Sequence, residues 1–317
     1  MTKVVVTGAA GYIGGQTLLK LTDAGHDVLA IDRVPPPGHL MTVPCSWHTG
    51  DFISPLGLDA IKLFCPDAIV HCAGTSLVGP SMIDPEDYYN NNFVKTKTLL
   101  DFLVRNHYKK VRFVFSSSAA TYGNPIMTPC QEVDPCEPIS PYGESKLMIE
   151  WMLRSYHRAY ELDYVAFRYF NACGADSETR HGQAPGATHI IARVLESVKA
   201  GTAFTLYGTD YATADGTCVR DYIHVEDIAD AHILAVNKSI PADVYNLGTN
   251  TGHSNLEVVQ QAADVTKSLI AHKNGPQRKG DPAMLTADAN KFMAVSGWRP
   301  KYTLRDMIHH AWAWYNR

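Results

Sequence analysis

A strand that runs straight into three evenly spaced glycines constrains this chain more than any other feature. Val4-Val5-Val6 leads into Thr7-Gly8-Ala9-Ala10-Gly11-Tyr12-Ile13-Gly14, and helical spacing resumes at Thr17, Leu18 and Leu21. Glycines three apart allow a tight turn and a close approach of backbone to a phosphate at a helix N-terminus. The pattern G-x-x-G-x-x-G differs by one residue from the common dinucleotide fingerprint, and glycines between a strand and a helix also serve as ordinary turn residues. Asp32 closes the second strand, where a carboxylate accepts hydrogen bonds from both hydroxyls of an adenosine ribose and repels a 2′-phosphate. NAD is therefore the expected cofactor, with Arg33 as a receptor for a 2′-phosphate keeping NADP open. Asp51, in Gly50-Asp51-Phe52 after the third strand, is a further candidate for the adenine end.

Short β-branched runs continue at Val28–Ile31, Ala68–His71, Val111–Phe115 and Val165–Phe167, separated by longer helical stretches. This is the rhythm of an α/β protein with a parallel sheet wound by helices. Tyr142 to Tyr160 reads as a long helix with apolar residues on more than one face. After Asn171 the rhythm loosens into a loop over 174–189, a helix at Ile190–Val198 and a strand at Phe204–Tyr207. Ser254 with Glu257 forms a capping box, and Thr303 precedes a helix with apolar residues at Leu304, Met307, Ile308 and Ala311. Two regions are expected, 1–171 with residues around 223–250 packing back onto it, and 172–317.

Composition removes several classes. With 28 Lys and Arg against 32 Asp and Glu, the net charge of −4 argues against binding to nucleic acid by bulk charge. The 7 cysteines are scattered without a C-x-x-C pair, so neither a disulfide framework nor a zinc clamp is expected, no metal is called for, and a reducing cytoplasm fits best. The uncharged stretch at 4–19 imitates a signal peptide, but its glycines break any hydrophobic helix, and no other span suggests a membrane anchor.

Tyr142-Gly143-Glu144-Ser145-Lys146 places Tyr and Lys at i and i+4, on one helix face. At about 4 Å and an effective dielectric of about 20, the cation favours phenolate by about 4 kcal/mol, enough to draw a tyrosine pKa from about 10 toward neutrality. The phenol then serves as a general base. Ser116-Ser117-Ser118 follow the strand Val111–Phe115 at its carboxyl end, where open α/β sheets bind ligands.

The glycine turn, the serine run and Tyr-x-x-x-Lys, in that order, resemble the extended short-chain dehydrogenases/reductases over essentially the whole chain. Arg168-Tyr169-Phe170-Asn171, Tyr207-Gly208-Thr209-Asp210-Tyr211, Asp215-Gly216-Thr217, Arg220-Asp221-Tyr222-Ile223-His224-Val225 and Gly280-Asp281-Pro282-Ala283 narrow it to that family's nucleotide-sugar 4-epimerases. The resemblance implies a Rossmann-type doubly wound parallel sheet with a smaller mixed α/β substrate-binding region. It also implies NAD-dependent 4-epimerisation of a UDP-hexose, glucose and galactose or their N-acetyl forms, through a 4-keto sugar.

Residue by residue, it makes Tyr142 the base, gives Lys146 the nicotinamide ribose and the lowered tyrosine pKa, and sets Ser118 on the sugar's 4-hydroxyl. Ser116 and Tyr169 sit by the nicotinamide. Gly8, Gly11, Tyr12, Ile13 and Gly14 hold the cofactor with Asp32, Asp51 and Phe52, joined by Ala73, Gly74 and Asn92. Asn171, Arg220 and Arg278 take the substrate's diphosphate, and Asp281 the uridine ribose. His189 and Ile190, with Thr205, Tyr207 and Tyr222, complete the nucleotide side, and Leu285 gates the space around the sugar's C2 substituent. Two departures, Lys95 where the family usually has glycine and Pro80 where an acid is common, are expected to reshape the nicotinamide side. A homodimer is expected from the apolar helix at Leu147–Leu153 and from Phe93, Leu99, Leu100 and Leu103. The rival readings are a 4,6-dehydratase, although Ser118 is followed by Ala119 and Ala120 rather than carboxylates, and a non-catalytic NAD(H)-binding protein.

Overall fold

The computed structural model describes residues 1–317 except 107, 109, 238, 239, 279 and 280; Gly280 of the motif quoted above thus lies outside the described residues. The chain alternates β1 (Lys3–Thr7), α1 (Tyr12–Asp23), β2 (Asp27–Asp32), β3 (Ser46–Thr49), α2 (Pro55–Phe64) and β4 (Ala68–His71). Short helices α3 (Val78–Ser81) and α4 (Pro85–Tyr88) precede α5 (Lys95–Arg105), β5 (Arg112–Ser118), α6 (Pro141–Tyr160) and β6 (Tyr164–Tyr169). Then come β7 (Asn171–Cys173), α7 (Ile190–Ala200), β8 (Phe204–Tyr207), β9 (Val219–His224), α8 (Val225–Val236) and β10 (Asp243–Leu247). The chain ends with β11 (Gly252–Ser254), α9 (Asn255–Thr266), β12 (His272–Gly275), β13 (Met284–Leu285), α10 (Asn290–Ser296) and α11 (Leu304–Tyr315).

Seven strands form one sheet in the order β10-β6-β5-β4-β1-β2-β3, every pairing parallel. The uninterrupted apolar runs follow from burial of both faces. Val4, Val6, Val28, Ala30, Val70 and Val114 pack on one side with Leu18 and Leu21 of α1 and Ile228 and Ala231 of α8. Val5, Leu29, Ile31, Ile69, Phe113 and Phe115 face the other side against Leu99, Leu100 and Leu103 of α5 and Ile149 and Leu153 of α6. This one-residue alternation is the period of a strand. The order reverses between β1 and β4, which opens a crevice beyond the carboxyl ends of those strands.

A separate core carries the later elements: Val194 and Leu195 of α7, Val258 of α9 and Ile308 of α11 surround Leu206 and Tyr222. The capping box at Ser254 with Glu257 forms, and the structure adds a second, at Thr303 with Asp306. Among the described residues no helix is long and apolar enough to cross a membrane.

Two expectations need correction. The serines do not follow β5 but finish it, because β6 continues the ladder and pairs Ser116, Ser117 and Ser118 with Phe167, Arg168 and Tyr169. The apolar residues offered for a dimer are used within the chain: Leu99, Leu100, Leu103, Leu147 and Leu153 are buried, and Phe93 packs on the same core. The large apolar side chains that α6 leaves outside are Trp151, 54% exposed, and Tyr160, 43% exposed.

Candidate active site

The crevice is a cavity of about 850 Å³ lined by the glycine turn, the β5 serines, Tyr142, Lys146 and Tyr169, and by Arg220 and Asp281 at the far end. Two smaller lobes adjoin it. One of about 160 Å³ shares Gly8, Gly11, Cys72 and Gly74 with it and adds Asp32, Asp51, Phe52 and Ala73. The other, about 190 Å³, shares Asn171, His189, Arg220 and Asp281 and adds Ile190, Tyr222 and Arg278.

The glycine turn is required by its own packing. Gly8 has φ +72°, a left-handed conformation that favours glycine. A Cβ on Gly14 would lie 2.1 Å from the Gly8 carbonyl oxygen, so only glycine lets α1 start this close to β1. Tyr12 and Ile13 line the large cavity, and the Tyr12 hydroxyl donates to the Gly174 carbonyl at 2.8 Å. Asp32 is fixed at the end of β2 by the Ala10 N–H at 3.0 Å and the Val34 N–H at 3.2 Å. Asn92, by contrast, lies behind the wall: its amide accepts from the Thr75 N–H and donates to the Thr75 carbonyl and the Ser145 hydroxyl.

Lys95 corrects one expectation. Its ammonium pairs with Asp51 at 2.6 Å and lines the lobe that holds Asp32, so it acts at the Asp32 end and not beside Tyr142. Pro80 is exposed and outside the lining, where Leu77 and Val78 stand instead.

At the centre, the Lys146 ammonium donates to the Ser116 carbonyl at 2.8 Å and lies 4.9 Å from the Phe115 ring centroid and 5.8 Å from that of Tyr142. Burial lowers Lys146 to about 8, with Cys72 and Glu150 opposing. The Tyr142 phenol is pushed up, chiefly by burial, while a hydrogen bond with Ser118 pulls it back. The expected descent of Tyr142 toward neutrality is therefore not produced by the chain itself: desolvation outweighs an ammonium turned toward the Ser116 carbonyl. Ser118 also caps the following turn by accepting from the Ala120 N–H at 3.1 Å. The Ser116 and Tyr169 hydroxyls are 2.9 Å apart.

At the far end the Asn171 amide donates to the Asp221 carbonyl, and Arg220 is paired with Asp281 at 3.4 Å, not with its neighbour Asp221. Arg278 stacks over the Tyr207 ring at 4.4 Å. Leu285 lines the large cavity, whereas Thr205 and Tyr207 line none of the three. His39, His181 and Trp314 were not singled out from the sequence, yet they wall the large cavity beside the glycine turn. They come from three distant segments and carry no local motif.

The arrangement thus offers a glycine turn, the Asp32 carboxylate in the lobe beside it, a Tyr/Ser/Lys cluster and a far end carrying Arg220, Arg278 and Asp281, in adjoining spaces. Residues 4–248 match the family model described as the NAD dependent epimerase/dehydratase family. The UDP-glucose 4-epimerase of Halalkalibacterium halodurans is 42% identical, covering 98% of this chain and 95% of that protein. A UDP-glucose 4-epimerase from Stenotrophomonas maltophila, solved with bound NAD and formylated UDP-arabinopyranose, superposes with a TM-score of 0.94 at 31% identity, covering 100% of this chain and 98% of that one. The Bifidobacterium longum enzyme in complex with NAD+ and UDP gives 0.92 at 35%, covering 99% and 98%. The chain belongs to the NAD dependent epimerase/dehydratase family, among its UDP-glucose 4-epimerases.

Proposed function

We propose that this chain interconverts UDP-glucose and UDP-galactose by oxidising C4 to a 4-keto sugar and reducing it again on the opposite face. The observation that carries the reading is the single cavity that joins the glycine turn, the Ser118/Tyr142/Lys146 cluster and the Arg220 end. NAD fits the cofactor half: Gly8 and Gly14 admit close backbone approach, and the Asp32 carboxylate opens into the adjoining lobe. When bound, NAD supplies a hydride acceptor that returns the same hydride, together with a positive charge.

Once ionised, the Tyr142 phenolate oxygen takes the proton of the sugar's 4-hydroxyl, and the phenol gives it back after the sugar has turned. Ser118 orients that hydroxyl, and Lys146 holds the cofactor ribose. Arg220 and Arg278 neutralise the diphosphate, a task suited to a planar fork that meets phosphate oxygens in pairs. Asp281 takes the uridine ribose, and Leu285 borders the C2 substituent. Residues 1–171 with 223–250 form the cofactor-binding body, and the rest of 172–317 the nucleotide-sugar region. The free cysteines suit a reducing cytoplasm. A homodimer remains the proposed assembly, now resting on exposed Trp151 and Val94; light scattering at twice the chain mass supports it, and a monomer overturns it.

The test is proton NMR of UDP-glucose with purified protein and no added nicotinamide, watching the anomeric region, with UDP-N-acetylglucosamine run in parallel. Appearance of UDP-galactose supports the reading, and no conversion even with NAD supplied contradicts it. Rates on the two sugars report on Leu285. Asp32→Ala is expected to weaken NAD retention by roughly 10- to 100-fold, since hydrogen bonds to a charged group contribute about 1.5–3 kcal/mol. Cofactor content per chain after gel filtration measures it, and full retention would remove Asp32 from the site.

A further inference from the structure

Behind the cavity floor, His232 of α8 is fully buried and belongs to no motif read from the sequence. Its two nitrogens meet the Thr17 hydroxyl at 2.8 Å and the Tyr169 hydroxyl at 2.5 Å. The direction of the proton chain follows from its two ends. The Ile13 carbonyl can only accept, so Thr17 donates to it at 2.9 Å and must receive its other bond from the His232 Nδ1–H. Burial pushes His232 down to about 3, so the ring is neutral and Nε2 offers a lone pair. Tyr169 therefore donates to Nε2, and its oxygen accepts from the Ser116 hydroxyl at 2.9 Å. Without that acceptor, Ser116 has a second partner within reach, the Cys72 sulfur at 3.4 Å. The Ser116 carbonyl is the one that receives the Lys146 ammonium.

We propose that His232 is a positioning residue for the C4 redox step: by accepting from Tyr169 it fixes the direction of the Tyr169 and Ser116 hydroxyls, which line the cavity beside Lys146. The inference rests on the function proposed above. The relay runs from Ser116 through Tyr169, His232 and Thr17 to the Ile13 carbonyl, joining the strand end that holds Lys146 to the helix start that borders the cofactor. Its partners lie 63 and 215 residues away in sequence, so the two contacts of one buried ring tie three distant segments.

His232→Leu is expected to lower kcat roughly 10- to 100-fold with KM changed less than about twofold, the size of loss seen when catalytic groups are misplaced by a remote change. His232→Gln, whose carbonyl oxygen can accept from Tyr169, is expected to recover most of that loss. The decisive test is a double-mutant cycle on UDP-glucose with Tyr169→Phe: combining it with either His232 variant costs no more than Tyr169→Phe alone. Multiplicative losses, or a folded His232→Leu with wild-type kcat, overturn the proposal. If His232→Leu fails to fold, His232→Asn, whose shorter side chain cannot reach the Tyr169 hydroxyl, takes its place in the cycle. An inactive wild-type protein would instead defeat the parent reading, so the two failures are distinguishable.

Discussion

Tyr142→Phe is expected to reduce kcat by roughly 10²- to 10⁴-fold, the range for removing a positioned general base, while the protein stays folded and keeps its NAD. The substitution deletes one oxygen and preserves the ring, which packs edge-on against Tyr88 at 6.3 Å. The lost oxygen is the one that would exchange a proton with the sugar, in a cavity it shares with Ser118. Because burial holds this phenol above its ordinary value, ionisation needs positive charge around it. The Lys146 ammonium, 5.8 Å from the centre of the Tyr142 ring, is the cation of this chain placed to supply part of it. A Tyr142→Phe protein that turns over within a few-fold of wild type would favour the non-catalytic NAD(H)-binding reading. The dehydratase reading needs a carboxylate after Ser118 for elimination, and Ala119 and Ala120 provide none.

The second large effect is on stability. Arg168 of β6 and Glu150 of α6, the helix that carries Tyr142, are buried, 3% and 0% exposed, and meet through two parallel bonds of 3.0 and 2.6 Å. Ser117 donates to the same carboxylate, and the guanidinium lies 4.7 Å over the Tyr122 ring. Removing one partner of such a pair leaves a buried charge uncompensated, at about 3–5 kcal/mol. Arg168→Ala and Glu150→Ala are each expected to cost that much, a fall in Tm of about 4–8 °C for a chain this long. Replacing both by Met should restore most of it, because two apolar groups of similar volume strand no charge. Thermal unfolding of the four proteins measures this, and single variants melting within a degree of wild type would refute it.

The sheet was legible because parallel strands buried on both faces must be continuously apolar, and the glycine turn because Gly8 and Gly14 have no tolerable substitute. Tyr142 and Lys146 were legible because helical spacing alone puts them on one face. Other features depend on long-range packing. The leucines of α5 and α6 look the same in sequence whether they face their own sheet or a second chain, and the sheet claims them. Lys95 sits one helical turn from Asn92, but its partner Asp51 is 44 residues upstream, which places it in the lobe that holds Asp32. Tyr207 belongs to a family-like motif, yet its ring is used to support Arg278 rather than to line the cavity. His232 gives no local signal, since its partners assemble only when α1, β6 and α8 meet.

The central claim is that one hydride leaves C4 and returns to the same carbon while the cofactor stays bound. UDP-glucose carrying deuterium at C4, incubated with the purified protein in ordinary water without added nicotinamide, tests it directly. UDP-galactose that keeps its full deuterium content at C4, with none in unlabelled UDP-glucose mixed into the same reaction, is the predicted result. Deuterium lost to water, or shared with the unlabelled sugar, would contradict it.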